Sequence, residues 1–216
     1  MNMVNMINIT VLKYGTAYSS DFVNKFYEML LSKTTVQFQF WVQTENASGL
    51  NDKFKILPIV HVDPVKRRFH KLDLFETDVL AGKSFHFDLD MIINKNIDHY
   101  LLYEPKKLTV LYAHYKDKES VRKTNLVRKT NKDGLVNSSI FCWNPGCDST
   151  KKILDIHYSE EDQFNGSFDN FIFWKCPKHI DLFPYRDYHL YRKNGYNKEQ
   201  TICLFNQRLD DIYKYL

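Results

Sequence analysis

Glycine is scarce, at 7 of 216 residues, and neither Gly-x-Gly-x-x-Gly nor Gly-x-x-x-x-Gly-Lys-Ser/Thr occurs. The common loops that cradle phosphate with backbone amides are thereby excluded. Long apolar runs are missing as well. None approaches the roughly 20 residues a membrane-spanning helix needs, and Met1–Thr10 lacks the basic start and apolar stretch of a signal peptide. The expectation is a soluble, cytoplasmic chain. Only four cysteines occur, Cys142, Cys147, Cys176 and Cys203, which in that compartment read as thiols or metal ligands and not as a disulfide frame. No linker rich in Pro, Gly or Ser divides the sequence, so residues 1–216 are expected to form one domain. What is plentiful is aromatic: 14 Tyr and 16 Phe argue for strands with aromatic faces. Hydrophobic residues at 44% and charged residues at 26% exclude wholesale disorder, collagen-like repeats and coiled coil.

The formal charge of +4 is unevenly spread. Between Pro105 and Lys132 nine Lys/Arg face Asp117 and Glu119, or +7, so the remainder sums to −3 from 21 basic and 24 acidic residues. Residues 116–132 have no sustained period and little to bury, which predicts a mobile basic surface loop. It reads either as a solvated loop or as a contact surface for phosphates of a substrate or nucleic acid. A slightly acidic body disfavours nucleic acid as the partner of the whole domain.

Alternation and β-branching predict a strand over Ile7–Lys13, broken by Tyr14-Gly15-Thr16. Ser19 or Ser20 then caps a helix reaching about Leu31, with Phe22, Val23, Phe26, Tyr27 and Leu30 at helical spacing. Strands are expected at Gln37–Gln43 and Phe54–Val60, either side of a polar turn. Lys66–Leu80 carries Phe69, Leu72, Phe75 and Val79 on one stripe, a helix stopped by Ala81-Gly82. Further strands are expected at Ser84–Asp90, Leu108–Ala113, Asn137–Trp143 and Ile202–Phe205, with helical turns around 149–156, 168–174 and 207–215. Strands alternating with helices indicate an α/β fold with a mainly parallel sheet.

Asp88 and Asp90 end the strand Ser84-Phe-His-Phe-Asp-Leu-Asp90. Two residues apart in an extended chain, their side chains share a face and reach a crevice outside the sheet. Two hard oxygen ligands suit Mg²⁺ or Mn²⁺, which hold a diphosphate with few protein carboxylates. Charge at the tip of an apolar strand is costly unless a cation or partner compensates; the other reading is a solvated strand end. Cys142, Cys147, Cys176 and His179 offer a four-ligand zinc pattern, set against a wide first spacing and a Cys142 placed inside a strand. The remaining histidines assemble no nucleophile, base and orienting group. Taken alone, Lys71 reads as a solvated lysine, Tyr14 and Tyr18 as packing residues, Asp169 as a helix cap and Asn137 as a partner for turn amides.

These pieces form a set. His70-Lys-Leu-Asp-Leu-Phe75, then Ser84-Phe-His-Phe-Asp-Leu-Asp-Met-Ile-Ile93 and Ile97-Asp98, resembles the heart of nucleotide-diphospho-sugar glycosyltransferases of the GT-A fold, especially the glycogenin-like family with its small bacterial and viral relatives. Val11–Tyr18 with Phe22, Asn24 and Tyr27 resembles the family's first strand and nucleotide-contacting loop. Asn137-Ser-Ser139 is similar to its Asn-Ser-Gly strand, and Asp169-Asn170 to its Asp-Gln motif. The resemblance covers most of the chain, and its specific part is the block from Lys71 to Asp90.

The resemblance implies that Asp88 and Asp90 bind Mn²⁺ or Mg²⁺, with Asp88 also near the ribose. It implies that Tyr14, Gly15, Thr16 and Tyr18 line the nucleotide pocket, where a tyrosine ring can stack on a base. Lys71 would approach the diphosphate or sugar, and Asn137, Ser138 and Asp169 would face the donor sugar or the acceptor, with Lys71 and Asp169 in catalytic roles. Neutralising a diphosphate leaving group is what a cation and a lysine accomplish. The family closes on His-Gly-x-x-Lys-Pro with its histidine as the third protein ligand. Leu204-Phe-Asn-Gln-Arg-Leu-Asp210 instead puts Asn206 at the ligand position and Arg208 in place of the phosphate-binding lysine.

The expected activity is transfer of a sugar, from a UDP-sugar donor, to an acceptor that the sequence does not specify. The rival readings are a non-catalytic nucleotide-sugar-binding relic and a basic nucleic-acid-binding module.

Overall fold

Phe22, Val23, Phe26 and Leu30 recur at the spacing of one helix face, and all four are buried on the helix Ser20–Ser32. Its cap is Ser19, whose extended backbone lets Oγ accept the Phe22 amide at 3.1 Å. The computed structural model describes residues 6–59, 69–114, 135–160, 167–206 and 209–216. The basic stretch 116–132, Arg208 and the expected start of the second helix at Lys66 lie outside the described residues. Within them the architecture is α/β. Seven strands form the main sheet in the order β3-β2-β1-β4-β7-β6-β8 and three form a smaller sheet, β5-β10-β9. In chain order the strands are β1 Ile7–Lys13, β2 Phe38–Thr44, β3 Lys55–Pro58, β4 Ser84–Phe87, β5 Met91–Ile93, β6 Leu108–Tyr112, β7 Val136–Trp143, β8 Ile180–Leu182, β9 Tyr188–Leu190 and β10 Ile202–Leu204.

The chain forms two compact units, the first comprising Met1–Val62, Phe85–Glu104 and Asp187–Leu216, the second Asp63–Ser84 and Pro105–Arg186. In the first, β1 runs parallel to β2 from Ile7↔Phe38 to Lys13↔Thr44, and β2 runs parallel to β3. Six of the seven β1 residues are buried, the pattern of a strand covered on both faces. Tyr27, Phe40 and Phe54 close the helix over this sheet, with ring centroids 4.9–5.1 Å apart. Truncating one such buried ring would cost about 3–5 kcal/mol. In the small sheet, β10 is antiparallel to β5 and parallel to β9.

In the second unit β6 pairs antiparallel with β7, through a register shift between Val110 and Leu111, and parallel with β8. Helices Asp148–Glu160 and Phe168–Trp174 and the short helix His70–Glu76 belong to it. Phe75 stands edge-on to Phe141 and Trp143 of β7 at 6.0 and 5.3 Å. The helix expected to reach Leu80 stops at Glu76, because Thr77 turns extended at φ −83° and ψ 132°. Val79, expected on the buried stripe, is therefore 54% exposed.

The strand expected to run through Asp90 also ends early, at Phe87. Asp88, Leu89 and Asp90 lie in the connection between β4 and β5, so the two carboxylates are carried by a bend and not by a strand. No described helix is long and apolar enough to cross a membrane.

Candidate functional site

In the first unit the end of β4 gathers the acidic residues. Asp90 is buried to 8% exposure, while the Asp88 side chain keeps 27%. The Phe205 amide donates to the Asp90 carbonyl at 2.8 Å, continuing the β5–β10 ladder by one residue beyond Leu204↔Met91. Asn206 follows at once, with φ 51°, a left-handed conformation that asparagine adopts more readily than most residues. The ladder thus returns Asn206 to the bend that carries Asp88 and Asp90.

The field of both carboxylates is felt by Tyr18. Burial, then Asp90, then Asp88, then Tyr213 push its phenol well above the ordinary tyrosine range. Tyr18 packs on Phe22 at 5.3 Å, and Phe22 on Tyr213 at 5.0 Å. Tyr14 is half-buried, whereas Gly15 and Thr16 are exposed. Gly15 has φ 65° and donates its amide to Glu45 Oε1 at 2.6 Å. Glu45 at the end of β2 thereby pins the loop that follows β1.

Could these side chains hold a cation? Two carboxylates and the amide carbonyl of Asn206 are hard oxygen donors, the chemistry of Mg²⁺ or Mn²⁺, which take one or two carboxylates and leave the other positions to water and phosphate. Among the described residues no three His, Cys, Asp or Glu side chains assemble as a metal group. The zinc pattern thus gains no support among the described residues. Cys142 and Cys176 are buried, and Cys147 Sγ lies 3.2 Å from Ser149 Oγ and 3.4 Å from Thr150 Oγ1.

In the second unit the polar residues converge on Ser138. Every residue of β7 is buried, so each polar group there requires a partner. Lys71 Nζ donates to the Ser138 carbonyl at 3.1 Å and to its Oγ at 3.3 Å, 5.9 Å from the Phe141 ring centroid. Asp169 Oδ1 accepts the Ser138 amide at 2.8 Å. Asn137 Oδ1 accepts the Ser139 amide at 2.9 Å, satisfying a strand amide and not a turn. The helix cap expected of Asp169 is supplied by Ser167, whose Oγ accepts the Asn170 amide; Asp169 sits in the first turn. Lys71, read alone as a solvated lysine, is half-buried and anchored.

No family model and no curated protein matches the chain. Solved structures do. An active-site mutant of LgtC superposes with TM-score 0.62 at 8% identity, covering 97% of this chain and 96% of LgtC. The galactosyltransferase LgtC in complex with donor and acceptor sugar analogs gives 0.62 at 9% identity with the same coverage. The fold is that of a GT-A glycosyltransferase. Identity this low carries the fold alone, and neither structure bears on a glycogenin-like affiliation in particular.

On this GT-A fold the sequence-predicted residues fall into two sets. Asp88, Asp90, Tyr18 and Asn206 belong to one end of the first unit, with Tyr14, Gly15 and Thr16 on the loop after β1. Lys71, Asn137, Ser138 and Asp169 form the network in the second. Sequence reasoning missed Glu45, Thr10, His86 and Tyr213, because each meets its partner across 30 to 194 residues of chain. Their one local signal was the His86-x-Asp88 spacing.

Proposed function

We propose that the chain is a metal-dependent glycosyltransferase of the glycogenin-like group that takes its sugar from a nucleotide-diphosphate donor, UDP-sugar by preference, in the cytoplasm. The observation that carries the reading is the pair Asp88 and Asp90 where β4 of a GT-A fold ends, with Asn206 brought to them by the Phe205 amide on the Asp90 carbonyl. In this reading Asp88 and Asp90 hold Mn²⁺ or Mg²⁺, and Asn206 adds its amide oxygen. A bound cation supplies neutralisation of the diphosphate leaving group. Asp88 also meets the ribose.

The loop of Tyr14, Gly15 and Thr16, braced by Glu45, receives the nucleoside. The rings of Tyr14 and Tyr18 are the ones available to stack on the base. The family resemblance proposes for Lys71 and Arg208 a cationic role toward the leaving group and for Asn137, Ser138 and Asp169 a role toward the donor sugar or the acceptor; Lys71, Asn137, Ser138 and Asp169 share the network of the second unit. Charge placed in advance where charge develops is the largest lever such a site has.

Calorimetric titration with UDP-sugars tests the reading. Binding heat should require Mn²⁺ and be lost in Asp88→Ala and Asp90→Ala; its absence under all conditions would remove the reading. Asn206 at the family's histidine position favours one second reading, a protein that binds donor without turning it over, which metal-dependent binding without hydrolysis would select.

A further inference from the structure

His86 belongs to none of the roles assigned above. It sits in β4 between Phe85 and Phe87 with its side chain fully buried, and a buried imidazole has two ring nitrogens to satisfy. Nε2 lies 3.2 Å from Asp88 Oδ1. Nδ1 lies 3.1 Å from Thr10 Oγ1 on β1, a hydroxyl that is itself 3.1 Å from the Phe85 carbonyl. Asp88 is the first residue after β4, within reach of the ring two residues before it.

The protons can be placed. An ionised carboxylate only accepts hydrogen bonds, so Nε2 carries the hydrogen and donates it to Asp88. The Thr10 hydroxyl has one hydrogen: given to Nδ1 it leaves the Phe85 carbonyl, and given to that carbonyl it leaves Oγ1 to accept from a protonated Nδ1. Thr10 is completely buried, which fixes the far side of the ring. A carboxylate just beyond a strand has two side-chain torsions to order, and a hydrogen bond to Oδ1 from a buried ring restricts them. At Asp90 the backbone carbonyl accepts the Phe205 amide.

We infer that His86, braced by Thr10, is a positioning residue that orients the Asp88 carboxylate for ligation of a divalent cation carrying a nucleoside diphosphate. This rests on the donor-site reading above. It makes the metal affinity of the chain depend on a side chain that touches neither metal nor substrate, as outer-shell hydrogen bonds to metal ligands do elsewhere.

The test is Mn²⁺ affinity in the presence of UDP, followed by electron paramagnetic resonance of free Mn²⁺ on the full chain. His86→Leu, His86→Gln, Thr10→Val and Asp88→Ala are compared, with circular dichroism to verify folding. Wild type should bind and Asp88→Ala should not. His86→Leu should weaken Mn²⁺ binding about 10–100-fold, and His86→Gln, whose amide nitrogen replaces the Nε2 donor, should recover most of that loss. Folded His86→Leu with wild-type affinity, or folded His86→Gln as weak as His86→Leu, would overturn the inference and leave the donor site standing. Should His86→Leu not fold, Thr10→Val carries the test: weakened binding supports the inference and unchanged binding overturns it. A wild type that binds no Mn²⁺ removes the donor-site reading and this inference together.

Discussion

Asp169 offers a perturbation whose size follows from the structure. Its Oδ1 accepts the Ser138 amide at 2.8 Å, and Ser138 lies in a strand with every residue buried. Asp169→Ala removes a hydrogen bond to a charged acceptor, worth about 1.5–3 kcal/mol. It also removes a negative charge from the first turn of the helix Phe168–Trp174, worth about 0.5 kcal/mol. The sum is about 3 kcal/mol, or about 6–12 °C in Tm for a chain of this size. Asp169→Asn keeps an acceptor oxygen in place and loses only the charge, so about 1 kcal/mol and about 2–4 °C should go. Thermal unfolding followed by circular dichroism reads both variants. An Ala variant within about 1 °C of wild type, below what this hydrogen bond can contribute, would refute the reasoning. So would an Asn variant as unstable as the Ala variant. Activity gives a separate readout, because Asn substitution should abolish turnover while sparing the fold if the carboxylate serves the donor or acceptor.

Three further outcomes are expected. Ser19→Ala removes the cap on the Phe22 amide and should cost about 1 kcal/mol, seen as a drop of about 2–4 °C in Tm. Burial alone would raise the Asp98 carboxyl, but hydrogen bonds from Thr34, Thr35 and Asn96 outweigh it and hold it well below the usual range. A lowered folded pKa stabilises above the unfolded value of about 3.9, so the Tm difference between wild type and Asp98→Ala should be constant from pH 7 to 5 and shrink in stronger acid; a difference that grows there would contradict this. Tyr18 has the opposite sign, since its raised phenol keeps the folded state protonated. Wild type should therefore lose stability above about pH 10, where an unfolded tyrosine ionises, faster than Tyr18→Phe does. Parallel melting curves for the two at pH 9–11 would show that Tyr18 is not buried beside the carboxylates.

The parts of the fold legible in the sequence are those whose signal is local and long enough to show a period. The helix of Phe22, Val23, Phe26 and Leu30 is one, and the runs Ile7–Lys13 and Asn137–Trp143 are others. The strands β5, β8 and β9 have three residues each, too few to display alternation. The helix ending at Glu76 shows the limit of the apolar stripe: Val79 stands at helical spacing, yet Thr77 has already left the helix. Of the candidate site, the Asp88-x-Asp90 pair was legible because its two carboxylates are neighbours in sequence. What orders Asp88 is a ring fixed by Thr10, 76 residues away, and what braces Gly15 is Glu45, 30 residues away. Such partners are set by strand order, which no single stretch of sequence contains.

The central claim is a working donor site built on Asp88 and Asp90. Its most direct measurement is hydrolysis of nucleotide sugars by the purified chain, with and without Mn²⁺, because release of UDP reports the donor site without knowledge of the acceptor. UDP release should depend on Mn²⁺, prefer UDP-sugars, and disappear in Asp88→Ala and Asp90→Ala. UDP release that persists without metal, or that survives in both variants, would contradict it.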